Sequence, residues 1–110
     1  TLKKGTARDM RKNLDLDESL FDWSIYYCGN GLMDVSELLI VKSDNSAALE
    51  TAEKAAASRL DAQKTNFDGY GTNQIDLLGH AITKKVGSYY FYAVSEHAST
   101  WEEVFMGLVK

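Results

Sequence analysis

Proline is absent from the 110 residues. At the usual frequency of about 5%, roughly five or six would be expected. The absence excludes a proline-rich linker, a polyproline ligand segment and a native cis-proline. Cysteine occurs once, at Cys28, which excludes an internal disulfide and a zinc site built from several cysteines. The two histidines, His80 and His97, lie 17 residues apart with no supporting ligand spacing. No apolar run approaches the ~18 to 20 residues that cross a bilayer; the longest, Leu38 to Val41 and Tyr89 to Val94, are strand-sized. Basic residues number 12 against 16 acidic ones, a net charge of -4, and they form no cluster. That balance counts against nucleic acid as a partner.

What is present suits one packed domain. Hydrophobic residues make up 45% of the chain, enough for a core without metal or disulfide staples. No linker-like or low-complexity segment divides it, so residues 1–110 read as a single domain.

Thr6 to Leu14 reads as a short helix, with Thr6 and Asp9 as a capping signal and Ala7, Met10 and Leu14 on one face. Trp23 to Cys28 alternates at period two, placing Trp23, Ile25 and Tyr27 on one side. After Gly29-Asn30-Gly31, Ser36 to Lys42 reads as a second strand of the same hairpin. Ser46 to Phe67 is the clearest helix, with Leu49, Ala52, Ala56, Leu60, Gln63 and Phe67 on one stripe. The small residues of that stripe predict close packing on a sheet. Asp68-Gly69-Tyr70-Gly71 ends the helix, and Thr72 to Gly79 reads as a short helix with Ile75 and Leu78 inward. Ile82 to Val86 and Tyr89 to Ser95 flank Gly87-Ser88, a glycine-first two-residue loop of type II′. Ser99 with Glu102 and Thr100 with Glu103 form two overlapping capping boxes. They lead a terminal helix with the stripe Trp101, Val104, Phe105 and Leu108. The order α-ββ-α-ββ-α predicts an α+β fold of two layers, an antiparallel sheet of two hairpins with helices packed on one face.

Few residues carry obvious chemistry. Asp15-x-Asp17-Glu18 opens like a calcium loop but lacks Gly at the sixth position and Glu at the twelfth, so it reads as solvated acid and no metal is expected. Glu96-His97 is a candidate acid/base pair, and Cys28 with His97 a candidate nucleophile and base. Both histidines fit a surface or loop position better, and a lone cysteine among aromatics fits a small buried hydrophobe. Gly69-Tyr70-Gly71 lacks the Lys-Ser/Thr ending of a phosphate loop. In Tyr89-Tyr90-Phe91-Tyr92 one face belongs to the core and the other forms a half-exposed aromatic stripe. Tyr90 and Tyr92, with Tyr26 and His97, are the candidate ligand-binding residues; no catalytic set and no cofactor is expected.

Gln63, Tyr70, Leu77, Leu78, Gly87, Tyr89 and Ser95, with Ser36-Glu37-Leu38 before the second strand, carry a resemblance. The chain resembles a family of small domains of unknown function found in lipoproteins of Gram-positive bacteria, over roughly residues 36 to 106. Ser88 stands where that family often has Asn, which leaves the turn intact. The resemblance implies an exported, extracytoplasmic domain held to the membrane by a lipidated cysteine upstream of Thr1, with residues 1–5 as the remnant of a tether. It implies no catalytic residues. The expected function is a non-enzymatic binding module at the cell surface whose partner is a protein, a glycan or a small ligand. The alternative is a small hydrolase using His97 with Glu96. A weaker third expectation is a homodimer paired through sheet edges, so the expected state is a monomer or weak homodimer.

Overall fold

The structure is a computed structural model and describes residues 2–29, 34–67 and 72–109, without the side chains of 72 and 73. The Asn30-Gly31 turn and the helix stop at 68–71, Tyr70 included, lie outside the described residues. The elements run β1 (Leu2–Lys4), α1 (Ala7–Leu14), a 3-10 turn (Glu18–Leu20), β2 (Trp23–Gly29), β3 (Glu37–Lys42), α2 (Ser46–Asn66), α3 (Thr72–Gly79), β4 (Ile82–Val86), β5 (Tyr89–Val94) and α4 (Ala98–Val109). The five strands form one antiparallel sheet in the order β1-β2-β3-β5-β4. The fold is α+β, with the predicted hairpins β2–β3 and β4–β5 joined through β3 and β5. Leu2–Lys4, the expected tether remnant, pair with Tyr27 to Gly29 and add an edge strand.

Local chemistry explains most boundaries. Thr6 and Asp9 close a reciprocal capping box, the Asp9 amide donating to Thr6 Oγ1 (3.2 Å) and the Thr6 amide to Asp9 Oδ2 (2.9 Å). Met10 and Leu14 of α1 are buried, whereas Ala7 is exposed. Asn45 caps α2 by accepting from the Ala47 amide at 2.9 Å. Gly87 has a φ of +56° and Ser88 a negative one, the combination a type II′ turn demands. At α4 the expected capping boxes give way to an earlier start. Ala98 already donates its amide to the Ser95 carbonyl, and Ser95 Oγ accepts from the His97 amide at 3.0 Å, so Ser99 and Thr100 fall inside the first turn.

The period-two pleat sorts the strands into two faces. Ser24, Tyr26, Cys28, Glu37, Leu39, Val41, Tyr90, Tyr92 and Val94 share face A by register. The alanine stripe of α2 lies on this face, with Ala52 and Ala56 fully buried; α1 and α3 flank α2 and complete the main core. Trp23, Ile25, Tyr27, Leu38, Ile40, Tyr89, Phe91 and Ala93 share face B. Here the structure differs from the expectation that all helices pack on one face. Helix α4 crosses to face B and packs on β5 and β4 through Ala98 and Phe105, giving a second core with Phe91 and Ala93. The cause is β5 itself: both of its faces are apolar, so each needs a cover.

Candidate functional site

Two features could carry function, one buried on face A and one open on face B. On face A, Glu37 opens β3 at the same parity as Leu39 and Val41, so the pleat drives its carboxylate inward. Its side chain is 2% exposed. Tyr26 of β2 donates its hydroxyl to Oε2 at 2.5 Å, and Tyr92 of β5 donates to Oε1 at 3.2 Å. Arg59, three residues beyond Ala56 on the buried stripe of α2, brings Nε to 3.3 Å and 3.2 Å from the two oxygens. Asn13 at the end of α1 donates to the Tyr26 hydroxyl at 3.0 Å. One carboxylate therefore ties α1, α2, β2, β3 and β5 together.

Burial pushes the Tyr26 and Tyr92 phenols far above their ordinary value, and the neighbouring Glu37 charge adds to the shift. Both hydroxyls therefore stay protonated donors. Chemically the cluster is a satisfied clamp: three donor groups converge on a carboxylate that substrate cannot approach. Sequence reading singled out neither Glu37 nor Arg59 as chemistry; the available signals were a glutamate within an apolar strand and an arginine at the edge of the α2 stripe.

The expected aromatic stripe is corrected by the same geometry. Tyr26, Tyr90 and Tyr92 are not half-exposed; they are buried beneath α1 and α2. The Tyr90 hydroxyl has no hydrogen-bond partner among the described residues. Burial pushes its phenol up to about 12, with Glu53 adding to the shift and Thr83 opposing it. His97, by contrast, is exposed after β5, its Nε2 3.3 Å from Glu96 Oε1 and its ring 6.4 Å from Trp101. Cys28 is buried on face A opposite Glu37. Burial and the Asp9 charge push its thiol up, against thiolate chemistry. The structure does not bring Cys28 to His97. Among the described residues no group of three His, Cys, Asp or Glu side chains is placed to hold a metal ion. No helix there is long and apolar enough to cross a membrane.

The open feature lies on face B. Lys84 of β4 reaches Glu102 of α4 at 3.3 Å, which fixes that flank of α4 against the β4 edge. Val104 and Leu108 lie roughly 160° and 120° around the helix from Glu102, away from that contact. Val104 and Leu108 are 59% and 78% exposed, and on the sheet Trp23 and Ile25 are 41% and 39% exposed. An aromatic path joins the two parts: Phe91 stacks on Phe105 at 5.0 Å, Phe105 meets Tyr89 edge-on at 6.1 Å, and Tyr89 meets Trp23 at 5.9 Å. On β3, Leu38 and Ile40 pack against the second core, so the part of face B left open belongs to β2 and the three-residue β1. The stripe Trp101, Val104, Phe105 and Leu108 was read as core. The structure buries only Phe105 of it, leaves Trp101 half-buried, and turns Val104 and Leu108 out to the surface.

Over residues 1–95 the chain matches the family described as "Domain of unknown function (DUF4358)". The match takes in the first 35 residues, to which the resemblance described above did not extend. No curated protein and no solved structure matches the chain.

Proposed function

As the chain belongs to the DUF4358 family of domains of unknown function, its role has to be argued from its surface, and we propose that it is a non-enzymatic interaction module working outside the cytoplasm. The observation that carries this reading is the bare half of face B. Trp23, Ile25, Val104 and Leu108 stand exposed, and Trp23 is joined to the second core through Tyr89. Soluble domains scatter exposed apolar residues singly, and contiguous apolar surface marks a contact surface. The one polar cluster of note, around Glu37, is closed and fully engaged in holding the fold. The partner class is a protein, a glycan or a small ligand. The flat apolar floor favours a protein surface over a glycan, which needs convergent polar groups.

The extracytoplasmic setting and the upstream lipid anchor rest on the resemblance to lipoprotein domains. A full-length product that enters the membrane fraction and takes up labelled palmitate supports them. A leaderless product in the cytoplasm overturns them. For the surface itself, the dye bis-ANS is expected to bind the folded domain and to lose most of its fluorescence gain in Leu108→Ser and Trp23→Ser variants. No enhancement with the wild-type domain refutes the reading. The hydrolase alternative draws only on the exposed His97–Glu96 contact. An ester and peptide turnover screen in which His97→Ala abolishes an activity would favour it.

A further inference from the structure

Charge is unevenly spread along the chain. Between Lys3 and Lys12 stand five of the 12 basic residues and one of the 16 acidic ones, Asp9, for a net charge of +4; the remaining 7 basic and 15 acidic residues leave -8. Strand β1 and helix α1 carry all five and are neighbours at one edge of the fold. β1 is the edge strand, and the Gly5 amide after it bonds the Tyr26 carbonyl at 2.8 Å just before α1 begins. Sequence reading saw no basic cluster; the pairing of β1 with β2 and the seating of α1 on face A assemble one.

The five side chains point outward. Lys3, Lys4, Arg8, Arg11 and Lys12 are all exposed. Helix α1 turns Met10 and Leu14 into the core. That puts Arg8 and Lys12 roughly 140° and 180° around the helix from the midpoint of that pair, and Arg11 about 80° from it. Among the described residues only Arg11 of the five has an ion-pair partner, Asp17 at 3.5 Å. Asp9 is engaged in the helix cap. The Thr6 amide and hydroxyl hold its carboxyl below the usual carboxylate range, and the Lys3 and Lys12 charges add to this, so cations of both elements bear on one point. Asp15, Asp17 and Glu18 follow α1 toward the Trp23 end of β2, whereas Lys3 and Lys4 pair with Cys28 and Tyr27 near its other end.

Folding does not ask for this arrangement. Arg8 stands in the first turn of α1, where the helix dipole disfavours a cation. It also precedes Arg11 and Lys12 by three and four residues, spacings at which like charges repel. Cations gathered against their own repulsion and left unpaired point to an anion outside the chain. Shape selects which anion. Neither β1 nor α1 holds an aromatic residue, so the flank has no stacking platform for single-stranded nucleic acid. All five charged heads stand exposed on long stems, and no buried donor is among them to fix one discrete phosphate. Spread charge of this kind matches a plane of phosphate headgroups. Across a fold of 40 × 27 × 21 Å, acids on the far side lie well beyond the ~8 Å Debye length at physiological salt and oppose such a contact little. We infer that the β1–α1 flank docks on an anionic phospholipid surface, through spread charge and without insertion. The inference is separate from face B and uses no upstream anchor.

Co-sedimentation of the 110-residue chain with vesicles of phosphatidylcholine, alone or mixed with phosphatidylglycerol, tests this. At ~50 mM salt the chain is expected to bind the mixed vesicles and not the pure phosphatidylcholine ones, and to be released at ~0.5 M salt. Each basic residue near such a surface contributes roughly fivefold to partitioning, so Arg8→Gln with Lys12→Gln is expected to lower it by about 25-fold. Both side chains point to solvent, so the thermal melt is expected to stay cooperative. Lys54→Gln with Lys64→Gln, exposed on α2, is expected to leave partitioning unchanged. No binding to the mixed vesicles at low salt, equal binding to pure phosphatidylcholine, or equal losses in the two pairs of variants overturns the docking. Duplex DNA bound through Arg8 and Lys12, with the vesicles left unbound, overturns it in favour of nucleic acid. Palmitate uptake by the full-length product without vesicle binding keeps the anchor and refutes the docking. Vesicle binding with a leaderless full-length product keeps the docking and overturns the extracytoplasmic setting.

Discussion

Replacing Arg59 by Met tests the clamp on face A most directly. Met keeps most of the apolar stem and removes the full positive charge bonded to Glu37. The carboxylate then remains 2% exposed with two tyrosine hydroxyls as its donors. Removing one partner of a buried ion pair costs about 3 to 5 kcal/mol, against ~0 to 1 kcal/mol for an exposed pair. Two features lower the figure here. The Arg59 side chain is 21% exposed, so its own desolvation is incomplete. Tyr26 and Tyr92 continue to donate. The expected loss is therefore about 2 to 4 kcal/mol, out of the roughly 5 to 15 kcal/mol that holds a domain of this size. At ~4 °C per kcal/mol the melting temperature falls by about 8 to 16 °C. Urea unfolding followed by circular dichroism reads the loss directly. Glu37→Gln, which keeps the shape but turns an amide toward the Arg59 Nε donor, is expected to cost about 2 kcal/mol. The double variant should lose less than the sum, with a coupling of at least ~1 kcal/mol. A loss below ~1 kcal/mol for Arg59→Met, with additive behaviour in the pair, would refute the clamp.

Alkaline stability follows from the buried phenols. Their folded-state values are raised above the unfolded value of 10.0, so the unfolded chain releases these protons first. Stability is complete below pH 10 and falls as pH rises from there, by about 1.4 kcal/mol per pH unit for each buried tyrosine; urea midpoints that do not move between pH 9 and pH 12 would contradict this. Tyr90→Phe removes a buried hydroxyl without a partner and is expected to gain up to ~1 kcal/mol at pH 7 while flattening the alkaline decline. Two glycines give opposite signs on alanine substitution. A Cβ at Gly5 would run into the Tyr26 ring, so Gly5→Ala should cost ~1 to 3 kcal/mol, whereas Gly107 has nothing within 4 Å, and Gly107→Ala in α4 should gain ~0.5 to 1 kcal/mol. Phe105→Ala empties the centre of the second core and is expected to cost ~3 to 5 kcal/mol in chemical denaturation, with hydrogen exchange rising first in α4.

The sequence by itself determined the elements. Period-two alternation in Trp23–Cys28, the apolar run of Ser36–Lys42, the alanine stripe of α2 and the glycine-first turn at Gly87 are local signals, and the structure follows them closely. The parity that put Trp23, Ile25 and Tyr27 on one side was also local. Tertiary structure alone decided which face each helix covers, because a strand apolar on both sides, such as Tyr89–Val94, is equally ready for a cover on either. That choice buried the tyrosines read as an exposed stripe, since α2 lies over Tyr90 and Tyr92. It exposed Val104 and Leu108, read as core, since α4 seats Ala98 and Phe105 on the sheet and turns those two away from that contact. The Glu37 clamp likewise depends on elements far apart in the chain. A glutamate in an apolar strand was visible, but Tyr26, Arg59 and Tyr92, and Asn13 through Tyr26, meet it only when five elements are assembled. With no proline to stiffen the chain and no disulfide to staple it, those long-range contacts hold the elements in place.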